Sequence, residues 1–127
     1  ITDDDRDFRE TLQGVFEPRG FRTVTAADGE EALDILQSKL IHLALFDMHM
    51  PRLTGLEAIR RLRQLHLLLP CILLSAEADE RLIAEARAAQ AFDVLKKPVT
   101  RAGVMNVVRQ ALQTSYDAET WRGLFGS

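Results

Sequence analysis

The chain has 127 residues, a formal net charge of −3, 46% hydrophobic and 28% charged residues. That is one domain of ordinary globular composition, large enough to bury a core without staples, and it excludes disordered, collagenous and disulfide-scaffold classes. The longest apolar run, Leu67 to Leu74, is broken by Pro70 and falls far short of the roughly 20 residues that span a bilayer, so no membrane partner is expected. A single cysteine, Cys71, rules out an internal disulfide, reads as a buried strand residue and suits a reducing cytoplasm, the location expected here. The opening Ile1-Thr2, with neither Met nor signal peptide, reads as a fragment or trimmed chain.

The charge is unevenly spread. Residues 1–51 carry 11 acids against 5 bases, and residues 52–127 carry 8 acids against 11 bases. The acids peak at Asp3, Asp4, Asp5 and Asp7, which points to a cation. No basic stripe invites direct nucleic-acid binding.

In chain order, Ile1-Thr2 reads as the end of a first strand. Phe8, Leu12, Val15 and Phe16 lie on one helix face, stopped by Pro18 and Gly20. Phe21 to Ala26 is a β-branched strand candidate. Ala32, Leu33, Ile35, Leu36 and Leu40 form a second amphipathic helix opened by Asp28-Gly29. His42 to Phe46 is a buried strand running into Asp47. Leu56, Ile59, Leu62 and Leu65 make a third helix, begun near Thr54-Gly55. Cys71 to Leu74 is a strand followed by Ser75, and Leu82, Ile83, Ala86 and Ala89 give a fourth helix. Phe92 to Leu95 is a strand ending at Lys96-Lys97-Pro98, and Val104, Val107, Val108, Ala111 and Leu112 give a last helix. Residues 1–116 read as one domain and 117–127 as a tail or the start of a linker. In that tail Trp121, Leu124 and Phe125 at i, i+3 and i+4 fit a packed helical turn, a linker or a disordered end.

Alternating strands and helices imply βαβ units and a parallel sheet covered on both faces, with the ligand site at the carboxyl ends of the strands. Those ends carry Asp3 and Asp4, Asp47, Ser75 and Lys97. Two carboxylates about 4 Å apart repel by about 4 kcal/mol at an effective dielectric of about 20, so such a group calls for a counter-charge. Hard carboxylate oxygens suit Mg²⁺, an ammonium binds phosphate as a point charge, and a hydroxyl donates to a phosphoryl oxygen. Together these parts describe phosphoryl transfer to a carboxylate. Lys96 and Lys97 point to opposite sides, and the position before Pro98 favours Lys97 as the one that reaches the site. Asp5 and Asp7 read as helix N-terminal acids favoured by the macrodipole.

The acid pair in TDDDRDF, the segment FDMHMPRLTG, LLSAEA and KKP, in this order and spacing, resemble the receiver domain of bacterial two-component response regulators over Ile1 to about Ser115. The resemblance implies a flavodoxin-like, doubly wound five-stranded parallel sheet of order 2-1-3-4-5, here with strand one truncated. It implies a phosphoacceptor switch rather than a metabolic enzyme, acting only in its own phosphotransfer and dephosphorylation. Asp47 matches the aspartate phosphorylated from a histidine kinase or phosphotransfer protein. Asp4 matches the direct Mg²⁺ ligand and Asp3 the acid acting through a metal-bound water; the His49 backbone carbonyl matches the third protein ligand. Ser75 matches the switch hydroxyl, Lys97 the phosphoryl-pairing lysine, and Pro98 a residue preceded by a cis peptide. Pro51 and Gly55 match the loop after the acceptor.

His49 and Glu77 match the family positions that flank the phosphoryl group, and are expected to pair over the site and tune its lifetime. Val94 stands where the family has an inward-turning aromatic, and Phe92, two residues earlier, is expected to share its strand face and replace that surface. The expected output face comprises the fourth helix, fifth strand and fifth helix, where a homodimer is also possible. The output domain or target is not legible. Three competitors stand beside this reading. One is a receiver-like protein-binding module that does not use phosphate, and another is an aspartate-nucleophile phosphatase, loosely resembled by Asp3-x-Asp5. The third is an FMN module, which the acids of TDDDRD oppose.

Overall fold

The computed structural model describes residues 1–116; the tail containing Trp121, Leu124 and Phe125 lies outside the described residues. Five α-helices alternate with three strands: α1 Arg6–Phe16, α2 Gly29–Ser38, β1 Ala44–Asp47, α3 Gly55–Gln64, β2 Cys71–Ser75, α4 Glu80–Ala88, β3 Asp93–Lys96 and α5 Arg101–Ser115. Every α-helix starts on a side chain that accepts from its first turn: Asp5, Asp28, Thr54, Asp79 and Thr100. Each such oxygen satisfies an amide that the helix itself leaves without a partner. At Thr54 the cap is reciprocal, because the Glu57 carboxylate also accepts from the Thr54 amide.

The strands are parallel in the order β1-β2-β3, with Ala44 opposite Cys71 and Ile72 opposite Asp93. Thr2 extends the sheet through single parallel bridges to Phe46 on one side and Ala26 on the other. The regular strand expected at Phe21–Ala26 is therefore reduced to one bridge. A strand exists only against a partner ladder, and Ile1 to Asp3 offer hydrogen bonds only to Val24 and Ala26 on that side.

Alternation along β1 and β2 builds two cores. Ala44, Phe46, Cys71 and Leu73 pack with residues of α2, α3 and α4; Leu45, Ile72 and Leu74 pack with residues of α1 and α5. Cys71 is buried as expected, and desolvation pushes its thiol up to about 11. Three expected core leucines and isoleucines lie outside: Leu40 follows the end of α2, Leu65 is the C-cap of α3, and Ile83 sits on the outer side of α4; all three are exposed. Phe92 also departs from expectation. It precedes β3, just after the positive-φ Gln90, and packs with the α1/α5 core, whereas Val94 packs with the α2–α4 core. Face alternation holds only inside a regular ladder, so two-residue spacing did not bring them together.

At the end of the sheet where the strands begin, Arg63 of α3 ties two loops together. Its guanidinium donates to the carbonyls of Leu67, Leu69, Ala89 and Gln90 at 2.8–3.4 Å. Arg63→Ala is expected to lower unfolding stability by about 2–3 kcal/mol in urea titration, since several carbonyls lose a charged donor at once. Arg61→Ala, on the exposed side of the same helix, is expected to stay within about 0.5 kcal/mol.

Candidate functional site

The parallel register brings the carboxyl ends of the strands to one edge. Asp47 ends β1, Ser75 ends β2, and Lys97 follows β3 with its amide on the Ser75 carbonyl at 2.8 Å. Asp3 arrives there because its neighbour Thr2 is threaded between Ala26 and Phe46. The Asp47 amide donates to the Thr2 carbonyl at 2.8 Å, which fixes the two acids side by side.

Lys97 bridges them. Its Nζ lies 3.0 Å from Asp3 Oδ2 and 2.9 Å from Asp47 Oδ1. Both acids are buried, at 1% and 5% exposure. Burial holds the Asp3 carboxyl above the ordinary aspartate range, a rise opposed by the Asp5 amide and Lys97 hydrogen bonds and reinforced by the charge of Asp47. For Lys97, burial acts to lower the pKa, but hydrogen bonds and charge from Asp47 and Asp3 outweigh it and hold the ammonium above its ordinary value. The peptide before Pro98 is cis, as the sequence resemblance implied.

Asp4 completes the acidic group from the exposed side. One carboxylate oxygen each from Asp3, Asp4 and Asp47 lies within 4.8 Å of the others. Three hard oxygens against one ammonium leave a net double negative charge, and this donor set fits a divalent oxygen-seeking cation. Asp5 turns away and caps α1, accepting from the Asp7 and Phe8 amides. Asp7 is the acid in the first turn of that helix.

Ser75 is fully buried, and its Oγ accepts from the Glu77 amide at 3.1 Å. His49 and Glu77 are both exposed, and no ion pair joins them among the described residues. The expected His49–Glu77 pair is thus absent from this state of the protein. Lys96 is exposed, so only the second lysine reaches the acids. His42 is structural, with its carbonyl accepting from the Tyr116 hydroxyl at 2.8 Å, and His66 is an exposed loop residue.

Two participants escaped the sequence reading. Phe8, counted there only as an apolar helix position, has its ring centroid 4.3 Å from Lys97 Nζ. That cation–π contact gives the ammonium a further favourable neighbour besides the two acids. Arg9 donates to the Asp3 carbonyl, 2.6 Å away, and so holds the backbone beside the acids. No local pattern signals either contact, because the partners meet only in the folded chain.

This doubly wound α/β sheet, with buried acids and a lysine gathered at its carboxyl edge, has the architecture of a CheY-like signalling domain. A family model for the response regulator receiver domain matches residues 1–109, and the chain belongs to that family. It is 34% identical over 119 residues to the transcriptional regulatory protein CpxR of Escherichia coli K12, covering 94% of this chain and 50% of that protein. It is 35% identical over 98 residues to the DNA-binding transcriptional regulator NtrC of Klebsiella pneumoniae, covering 77% of this chain and 21% of that protein. The chain thus spans half or less of these two curated relatives.

Among solved structures, the receiver domain of Francisella response regulator 1452 superposes with a TM-score of 0.86 at 27% identity, covering 91% of this chain and 95% of that one. The Vibrio cholerae chemotaxis protein CheY4 superposes with a TM-score of 0.83 at 26% identity, covering 87% and 94%. This is a receiver domain of two-component signalling, and no helix among its described residues is long and apolar enough to cross a membrane.

Gly55 sets the distance between α3 and the Asp47 backbone. A Cβ there would collide with the Asp47 carbonyl oxygen and come within 2.7 Å of Leu73 Cδ1. Gly55→Ala is therefore expected to cost about 1–3 kcal/mol of unfolding stability in urea titration, because backbone has to move.

Proposed function

We propose that this domain is a phosphorylation-dependent switch in which Asp47 accepts a phosphoryl group from the phosphohistidine of a histidine kinase or phosphotransfer protein. The observation that carries the reading is Lys97 shared between the buried carboxylates of Asp3 and Asp47, with Asp4 beside them. An Asp47 carboxylate oxygen attacks phosphorus as the phosphorus–nitrogen bond of the donor breaks, leaving an acyl phosphate on Asp47 and an imidazole on the donor. Asp3, Asp4, Asp47 and the His49 carbonyl would hold Mg²⁺, which supplies charge neutralisation to the transferring group when bound.

Lys97 then exchanges its hold on Asp47 for a phosphoryl oxygen, while keeping Asp3. Ser75 turns its hydroxyl from the Glu77 amide to a second phosphoryl oxygen. Both movements replace one partner with another, which supports a two-state change rather than a gradual one. Val94 is smaller than the family's aromatic, so the change is carried by the Ser75–Glu77 backbone link and the β3 end rather than by a swinging ring. Residues 1–116 are the switching unit, and the Thr2 and Ala26 bridges support a sheet of order 2-1-3-4-5. A cytoplasmic location follows from a kinase donor of this kind. The partners are the kinase or phosphotransfer protein and an output domain or target, as the transcriptional regulators among its relatives suggest.

Incubation with Mg²⁺ and a small phosphodonor is expected to add about 80 Da to the intact mass, the mass of one phosphoryl group. Asp47→Asn or a chelator should abolish that species. A wild-type chain that never gains the mass would favour a receiver-like binding module that does not use phosphate, and steady turnover of p-nitrophenyl phosphate would favour a phosphatase.

His49→Ala and Glu77→Ala are each expected to change the decay rate of the phosphorylated protein several-fold, read by the loss of the phosphorylated mass with time. Unchanged decay in both would remove these two exposed side chains from the mechanism.

A further inference from the structure

Phe8 lies in the first turn of α1, and its amide donates to the capping Asp5 carboxylate at 3.3 Å. The next residue, Arg9, donates to the Asp3 carbonyl. The start of α1 is thus tied to the acidic edge on both sides of Phe8. The Phe8 side chain is half-buried at the margin of the α1/α5 core. Apolar packing alone would account for a large side chain there. It does not account for an ammonium over the ring, and Lys97 Nζ lies over that ring, 4.3 Å from its centroid.

Lys97 is held at both ends. Its amide is bonded to the Ser75 carbonyl at 2.8 Å, and its head pairs with Asp3 and Asp47. Between them runs a flexible four-carbon stem, whose rotamer freedom is lost whenever the head is kept in place. An aromatic face attracts the ammonium through the ring quadrupole. A lysine head has three donors, and Asp3 and Asp47 take two of them. A further carboxylate in the place of Phe8 would compete with a phosphoryl oxygen for the ammonium. A ring attracts the same charge and leaves the N–H groups to oxygen. Its attraction does not depend on which oxygen the ammonium holds.

We propose that Phe8 is a positioning residue for phosphoryl transfer to Asp47: its aromatic face keeps the Lys97 ammonium at the acidic edge while that ammonium passes from Asp47 to the phosphoryl group. The inference rests on Asp47 as the phosphoacceptor, and Phe8 acts only through Lys97. The reaction therefore requires an aromatic face at this position, and an apolar side chain of another kind does not replace it.

The contact is read first without metal or phosphate. The chain has three lysines, and the other two, Lys39 and Lys96, are exposed. In a lysine-labelled sample, proton NMR is expected to place the methylene beside Lys97 Nζ upfield of the other two, through ring-current shielding. Loss of the signal in Lys97→Met assigns it. Phe8→Leu and Phe8→Met should erase the displacement, and Phe8→Tyr should keep it.

The second reading is the rate at which acetyl phosphate and Mg²⁺ add the phosphoryl mass. Phe8→Leu and Phe8→Met are expected to slow it several-fold with far-UV circular dichroism unchanged, and Phe8→Tyr to stay close to wild type. In the Lys97→Met protein, Phe8→Leu should have no further effect, because the two residues act as one unit. An undisplaced lysine signal in the wild type, or Leu and Met variants as fast as wild type, would overturn the proposal. So would equal slowing by Phe8→Leu with and without Lys97, which would assign the residue to packing of α1. A wild type with a displaced signal that never gains the mass removes the phosphoacceptor reading and the role of Phe8 with it. A wild type that gains the mass beside unresponsive Phe8 variants removes the role of Phe8 alone.

Discussion

Lys97 pairs with two buried carboxylates at once, and the arrangement of the site depends on that shared ammonium. Asp3 and Asp47 are forced together by the backbone, since the Asp47 amide is bonded to the Thr2 carbonyl next to Asp3. Like charges at that spacing repel strongly in a partly dry environment. An ion pair so placed adds little net stability over a well-packed apolar cluster, because the desolvation of its members offsets their attraction. Its value is that it is unfinished: three acids against one base leave room for more positive charge. Phe8 against the ammonium and Arg9 on the Asp3 carbonyl brace the same group.

Much of that site was legible in the sequence, for a physical reason. In a parallel sheet the carboxyl ends of the strands share one edge, so a polar residue directly after a buried apolar run has few places to go. Asp47 and Ser75 each end such a run, and Lys97 directly follows the half-buried β3. Asp5, Asp28 and Thr54 were likewise readable as helix starts, because capping depends on three or four consecutive residues. What failed to show depends on distant partners. Phe21 to Ala26 has strand composition but meets only one bridge's worth of ladder. Phe92 has the spacing of a face-mate of Val94, yet the turn after Gln90 delivers it to the other core. The contact of Phe8 with Lys97 joins opposite ends of the chain, and no periodicity encodes it.

The separation of the two cores bears on how a change at the acids spreads. Val94 touches the α2–α4 core, while Phe92 and Leu95 touch the α1/α5 core. β3 is therefore the element on which both sides of the sheet converge, and it is a half-buried edge strand with polar ends. The Lys97 backbone, bonded to Ser75, directly follows that strand, whose adjacent residues touch the two cores.

The clamp formed by Arg63 has a mechanical consequence. It stitches the α3–β2 loop to the α4–β3 loop on the side where the chain departs after Tyr116, and Tyr116 is itself tethered to the His42 carbonyl. Side-chain hydrogen bonds thus cross-link the loops ahead of β2 and β3, and the end of α5 to the segment ahead of β1, at the pole opposite the acidic edge.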